Sequence, residues 1–115
     1  MLFTGDAGAQ SEARMLTAGI DVEADVLKVG HHGSAYSSTA AFLGAVRPHY
    51  AVISVGRHNL FGHPAAPTIT GLRNAGATVY RTDRCGAVVV EAAANPHVTT
   101  IGNGALRLTP TARLP

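Results

Sequence analysis

One cysteine, Cys85, and no tryptophan occur in 115 residues. A lone cysteine closes no internal disulfide and builds no cysteine-rich zinc module, so a metal held here must be held by histidine and carboxylate. Charge is also scarce, at 14% of residues and a formal net of +2, while the hydrophobic share is 46%. That balance excludes a disordered chain. No apolar run approaches the roughly 20 residues of a membrane span. The opening Met1-Leu2-Phe3-Thr4-Gly5-Asp6 meets a glycine and an acid too early for a signal peptide. The chain is therefore expected to be one small soluble domain, long enough to bury a core.

The charges are unevenly placed. Up to Gly30, the acids Asp6, Glu12, Asp21, Glu23 and Asp25 outnumber Arg14 and Lys28. From His31 onward, Arg47, Arg57, Arg73, Arg81, Arg84, Arg107 and Arg113 face only Asp83 and Glu91. Arginine suits bidentate contact with phosphate, which admits an anionic substrate or partner. A solvated arginine-rich surface would carry the same pattern.

Apolar runs alternate with breakers in the manner of strand and helix units, which predicts an α/β fold. Residues 1–4 read as the end of a buried strand. A helix is expected from Ser11 as N-cap, through Met15 and Leu16, to Gly19. Residues 26–29 form a second strand, residues 40–46 a helix ending before Pro48, and residues 50–55 the strongest strand. Pro67 opens a helix that Gly76 stops. Residues 78–80 and 87–91 are strands joined by a turn, residues 98–101 and 105–108 are weaker strands, and residues 109–115 read as a tail.

Three polar clusters fall at predicted strand ends, where the loops of an α/β sheet converge on ligands. The first is Gly5-Asp6, whose carboxylate can bridge two cations, although a turn ending in Asp is common. The second is His31-His32 between Gly30 and Gly33. On a strand the two rings would diverge, whereas in a loop both can face one site, as ligands or as acid and base. The serines that follow, Ser34, Ser37 and Ser38, either bind phosphate or cap the next helix. The third cluster, Arg57, His58, Asn59 and His63, has the equipment to hold a phosphate and protonate a leaving oxygen. It also fits an ordinary polar loop turning at His63-Pro64.

These residues together resemble a known family. The runs Leu2-Phe3-Thr4-Gly5-Asp6, Asp25-Val26-Leu27-Lys28-Val29-Gly30-His31-His32-Gly33-Ser34, Ile53-Ser54-Val55-Gly56, Asn59-Leu60-Phe61-Gly62-His63-Pro64 and Tyr80-Arg81-Thr82-Asp83 with Gly86 occur in that order. They are similar to the C-terminal half of the metallo-β-lactamase-fold domain in competence DNA-uptake proteins of the ComEC/Rec2 type. The likeness covers residues 1–91, and residues 92–115, terminal strands and tail, add nothing to it.

The resemblance implies half of a four-layer αββα sandwich that holds two divalent ions, zinc or manganese, at one edge. By that likeness Asp6 is the bridging carboxylate and His31 a ligand of the second ion. His32 stands beside them as a ligand or as the group that orients one, and His63 and Asn59 contact phosphate or act as acid. Ser34 supports substrate binding, and Arg57 steers the substrate backbone. The expected reaction is phosphodiester hydrolysis of DNA by metal-bound hydroxide, in a parent tethered to the bacterial membrane.

The family's His-x-His-x-Asp-His segment is absent from the sequence, and two ions about 3.5–4 Å apart need more donors than Asp6 and His31. The chain is therefore expected to be incomplete, inactive alone, and partnered by the N-terminal half of its domain. Exposed apolar surface would then drive self-association. The alternatives are a related hydrolase acting on a lipid or choline phosphodiester, and a non-enzymatic module that packs on a partner or binds DNA through arginine.

Overall fold

Four apolar runs separated by helical segments form a parallel sheet, in a computed structural model that describes residues 1–102 and 108–110. Strands β1 (Leu2–Phe3), β2 (Val26–Lys28), β3 (Tyr50–Ile53) and β4 (Thr78–Arg81) lie side by side in chain order. Parallel neighbours need a crossover, and right-handed crossovers that all step in one direction put their helices on one face. Helices α1 (Ala9–Thr17), α2 (Ala40–Val46) and α3 (Ala66–Asn74) are those crossovers. A single helical turn, α4 (Thr82–Cys85), then leads to an antiparallel sheet of β5 (Ala87–Glu91), β6 (His97–Ile101) and β7 (Leu108–Pro110). The chain is an α/β fold with helices, parallel sheet and antiparallel sheet in three layers.

Alternation along each strand sorts the core into two halves. Leu27, Ala51 and Ile53 face the helices and pack with Val29, Phe42, Leu43, Val46 and Leu72. Val26, Tyr50 and Val52 face the other way, onto Val98 with Val88 and Val90 beside it. All four residues of β3 are buried, because this central strand is covered on both sides, which is why it reads as an unbroken apolar run. The first strand departs from its expected burial. Phe3 registers with Lys28 at the sheet edge and is 71% exposed, whereas Leu2 packs against the helix-side core.

The helix boundaries follow local chemistry where a cap is present. The Thr39 Oγ1 accepts the Phe42 amide at 3.3 Å and starts α2, and Pro67 sits in the first turn of α3. Helix α1 begins two residues before the expected Ser11, with Gly8 at its N-cap, because the Ala9 amide is taken by the Tyr36 carbonyl at 2.8 Å. A tertiary partner replaces the side-chain cap. The expected tail is also shorter than predicted, since Thr109 and Pro110 lie in β7, paired with Thr100 and Thr99. Of the strand expected over residues 105–108, residues 105–107 lie outside the described residues.

At the end of β4, Arg81 Nε and Nη2 donate to the two carboxylate oxygens of Asp83 at 3.1 and 2.8 Å, with both side chains largely buried. The guanidinium holds the Asp83 carboxyl below its ordinary range. The folded state therefore takes up a proton less readily than the unfolded chain, whose aspartates titrate near about 3.9. This contribution is complete above that pH and is lost as the pH falls through the lower folded value. Urea midpoints followed from neutral pH into acid should drop more steeply for the wild type than for Asp83→Asn, which starts lower and changes less. Parallel profiles would contradict the assignment.

Candidate functional site

The carboxyl ends of the four parallel strands carry all three polar clusters. A turn after β1 holds Asp6, and the carbonyl of its neighbour Gly5 accepts the His31 amide at 2.8 Å. This bond sets the Asp6 turn directly beside the loop that follows β2. In that loop, Gly30–Gly33, the residues His31 (φ 48°), His32 (φ 55°) and Gly33 (φ 80°) are successively left-handed. The conformation costs a non-glycine residue about 1–2 kcal/mol. It persists because the surrounding structure fixes it, and such strain collects at functional sites. The two imidazoles are exposed, with centroids 6.4 Å apart.

The loop after β3 closes on the histidine pair. Nδ1 of His32 lies 2.8 Å from the Ser54 carbonyl, so this nitrogen carries the proton and Nε2 is the one left for a ligand. The His63 ring centroid is 5.8 Å from that of His31. The Gly33 carbonyl accepts the Ala65 amide at 2.9 Å, and Thr68 Oγ1 donates to the Ser34 carbonyl at 2.9 Å, tying the turn to α3. From the far side, Thr82 Oγ1 both accepts from the Val55 amide and donates to its carbonyl. A hollow of about 200 Å³ opens between His32, Val55, Gly56, Asn59, Phe61 and His63. A larger one, about 630 Å³, lies behind, between residues such as Tyr36, Leu43, Pro67 and Gly71, and no carboxylate, imidazole or amine lines it.

Of the predicted site residues, His32, Asn59 and His63 line this hollow. Asp6, His31 and His32 are exposed, His63 is half buried, and Arg57 stands exposed on the same loop as His63. Ser34, expected to meet substrate, is 2% exposed, and its hydroxyl accepts the Tyr36 amide at 3.2 Å. It supports the turn from behind. Asn59 is likewise committed to its own loop. Its Nδ2 donates to the Gly56 and His63 carbonyls at 3.0 and 2.7 Å, and its Oδ1 accepts the Phe61 and His63 amides at 3.3 and 2.9 Å. Ser37 donates inward to the Gly30 and Ser34 carbonyls, so it too braces the loop.

Two contributors have no counterpart in the sequence reading. Glu12, counted there only as one acid among several, is 1% exposed and accepts the Ser38 and Thr39 amides at 2.7 and 2.9 Å. Nothing local signals this, because the bonds span 26 and 27 residues. Phe61 lines the hollow, and its signal was present as an aromatic ring in a loop rich in polar residues.

Among the described residues, no three His, Cys, Asp or Glu side chains converge as a complete metal-binding set. The residue types suit a divalent cation, since the Asp6 turn is bonded to the His31 backbone and the His32 ring is oriented by the Ser54 carbonyl, as metal-bound histidines commonly are.

The fold and this site define an α/β protein with a histidine-rich cleft at the carboxyl edge of a parallel sheet. Its relatives include a competence protein. The chain is 36% identical over 87 residues to ComE operon protein 3 of Bacillus subtilis (strain 168), covering 76% of this chain and 11% of that protein. It is 39% identical over 89 residues to Competence protein ComA of Neisseria gonorrhoeae, covering 76% of the chain and 13% of the relative. Recombination protein 2 of Haemophilus influenzae is 46% identical over 67 residues, 56% of the chain and 8% of that protein. The chain thus spans about a tenth of the length of the curated relatives it matches. No protein-family profile and no solved structure matches it. No helix among the described residues is long and apolar enough to cross a membrane.

Proposed function

We propose that the chain is the C-terminal half of a metal-dependent hydrolase domain of the metallo-β-lactamase fold, cutting phosphodiester bonds of DNA in a competence DNA-uptake protein. The observation that carries this reading is the meeting of three strand-end loops, with the Gly5 carbonyl of the Asp6 turn bonded to the His31 amide and the His63 ring beside that of His31. The layering supports it, since helices, sheet and sheet are three of the four layers of an αββα sandwich. The name of one relative supplies the competence context.

Asp6 and His31 would hold the divalent ions, with His32 a further ligand or the group that orients one. The remaining donors come from polypeptide outside this chain. A bound pair of cations supplies Lewis acidity toward a phosphoryl group and an activated water. Arg57 binds the substrate phosphate, and His63 gives a proton to the leaving oxygen. Asn59 keeps His63 in place through its carbonyl and amide.

The test is hydrolysis by the complete parent polypeptide loaded with manganese or zinc. Cleavage of DNA and of bis-p-nitrophenyl phosphate is expected, with loss of both in Asp6→Ala and His31→Ala. A folded, metal-loaded parent that cuts neither substrate ends the proposal. The 115-residue chain alone should hydrolyse little and bind divalent ions weakly in titration calorimetry. Tight binding of two ions per chain would overturn the division of donors.

A further inference from the structure

The loop that carries His63 also carries two strongly exposed large apolar side chains. Leu60 is 96% exposed and Phe61 80%. A fold that buries Phe42 to 1% has an apolar interior available, so the position of Phe61 is a property of its loop. That loop is tightly held, because both ends of the Asn59 amide are bonded to its backbone and one of those bonds is to the Phe61 amide itself. The ring lies nearly parallel to His63, at 19° and 5.9 Å between centroids, and it walls the hollow shared with His32 and Val55. Arg57 and His58 precede it in the same loop.

We propose that Phe61 is a stacking platform for a nucleobase, so that the cleft takes its DNA as a single strand with one base against the Phe61 ring. The inference rests on the phosphodiesterase reading for its polymer and on the loop geometry for the platform. A planar aromatic surface in water, presented by a braced loop, gains stacking with little ordering cost. Every base has a π-face, so this contact tolerates any sequence. In a duplex those faces are covered by neighbouring bases, which restricts the platform to single strands. Arg57, on the same loop, supplies a cation for the backbone that accompanies the base.

The chain has no tryptophan, so Phe61→Trp puts a single indole at the platform. Titration with a short oligothymidylate, without metal, should quench its emission to saturation, whereas a strand of equal length made of abasic sites should not. In parallel, Phe61→Ala should weaken oligothymidylate binding by roughly 5- to 150-fold in fluorescence anisotropy and leave the abasic strand's affinity unmoved. Equal quenching by both strands, equal affinities in the two proteins, or no binding of either strand overturns the platform. Because the indole signal needs no turnover, base-dependent quenching in a protein whose parent fails to hydrolyse would remove the enzymatic reading and keep this one. A parent that cleaves DNA while Phe61→Trp ignores bases would do the reverse.

Discussion

Gly33→Ala lowers the stability of the folded chain by about 3 kcal/mol and its melting temperature by more than ~10 °C. Two effects add. Gly33 has φ +80°, which costs a residue with a Cβ about 1–2 kcal/mol. The new Cβ would also lie 2.6 Å from Pro64 Cβ and 3.1 Å from Pro64 Cα. Overpacking of that kind costs typically about 1–3 kcal/mol. Neither partner can retreat freely, because the Gly33 carbonyl and Ala65 amide are bonded across the same contact. Gly62→Ala is the control, with φ +69° and nothing within 4 Å of where its new methyl group would stand, so it bears the backbone cost alone. Thermal unfolding of the two variants separates the terms. Equal losses would show that the His31-His32 turn does not depend on its seat against Pro64.

Glu12→Ala costs about 3–5 kcal/mol in denaturant unfolding, and Glu12→Gln distinctly less. The carboxylate is buried at 1% exposure and accepts two amides at the start of α2, where helix geometry leaves N–H groups without intrahelical partners. Each hydrogen bond to a charged group is worth about 1.5–3 kcal/mol, and an orphaned buried donor carries its own desolvation penalty. Alanine removes both acceptors, whereas glutamine keeps one. Hydrogen exchange at the Ser38 and Thr39 amides should accelerate in Glu12→Ala ahead of the β3 amides. A loss below ~1 kcal/mol, with unchanged exchange at those two amides, would mean that water replaces the carboxylate. The result also bears on the site, because Ser37 and Ser38 continue directly from the histidine turn into this cap.

Some of this molecule was legible before folding and some was not. Thr39 and Pro67 signal helix starts through chemistry that acts within a few residues, and both helices begin beside them. Ser11 carries the same kind of signal and is overruled, since the Tyr36 carbonyl supplies the acceptor for Ala9 from a distant segment. In the site, the gathering of polar clusters at strand ends followed from alternation of strands and helices. The distinction between a residue that faces the cleft and one that holds it did not. Ser34 and Asn59 have the right polar groups for a ligand, but their hydrogen bonds go to the backbone of their own loops.

The residue pattern by itself determined the alternation of strand and helix, the breakers that end each element, and the placement of Asp6, His31, His32 and His63 just beyond strands. These are consequences of periodicity and backbone preference, which act over a few neighbours. Tertiary structure alone decided that Glu12 caps α2, that Ser54 orients His32, and that Phe61 stands in water beside His63. Hydrogen-bond partners and burial depend on which distant segments meet, and no local rule along a chain encodes that meeting.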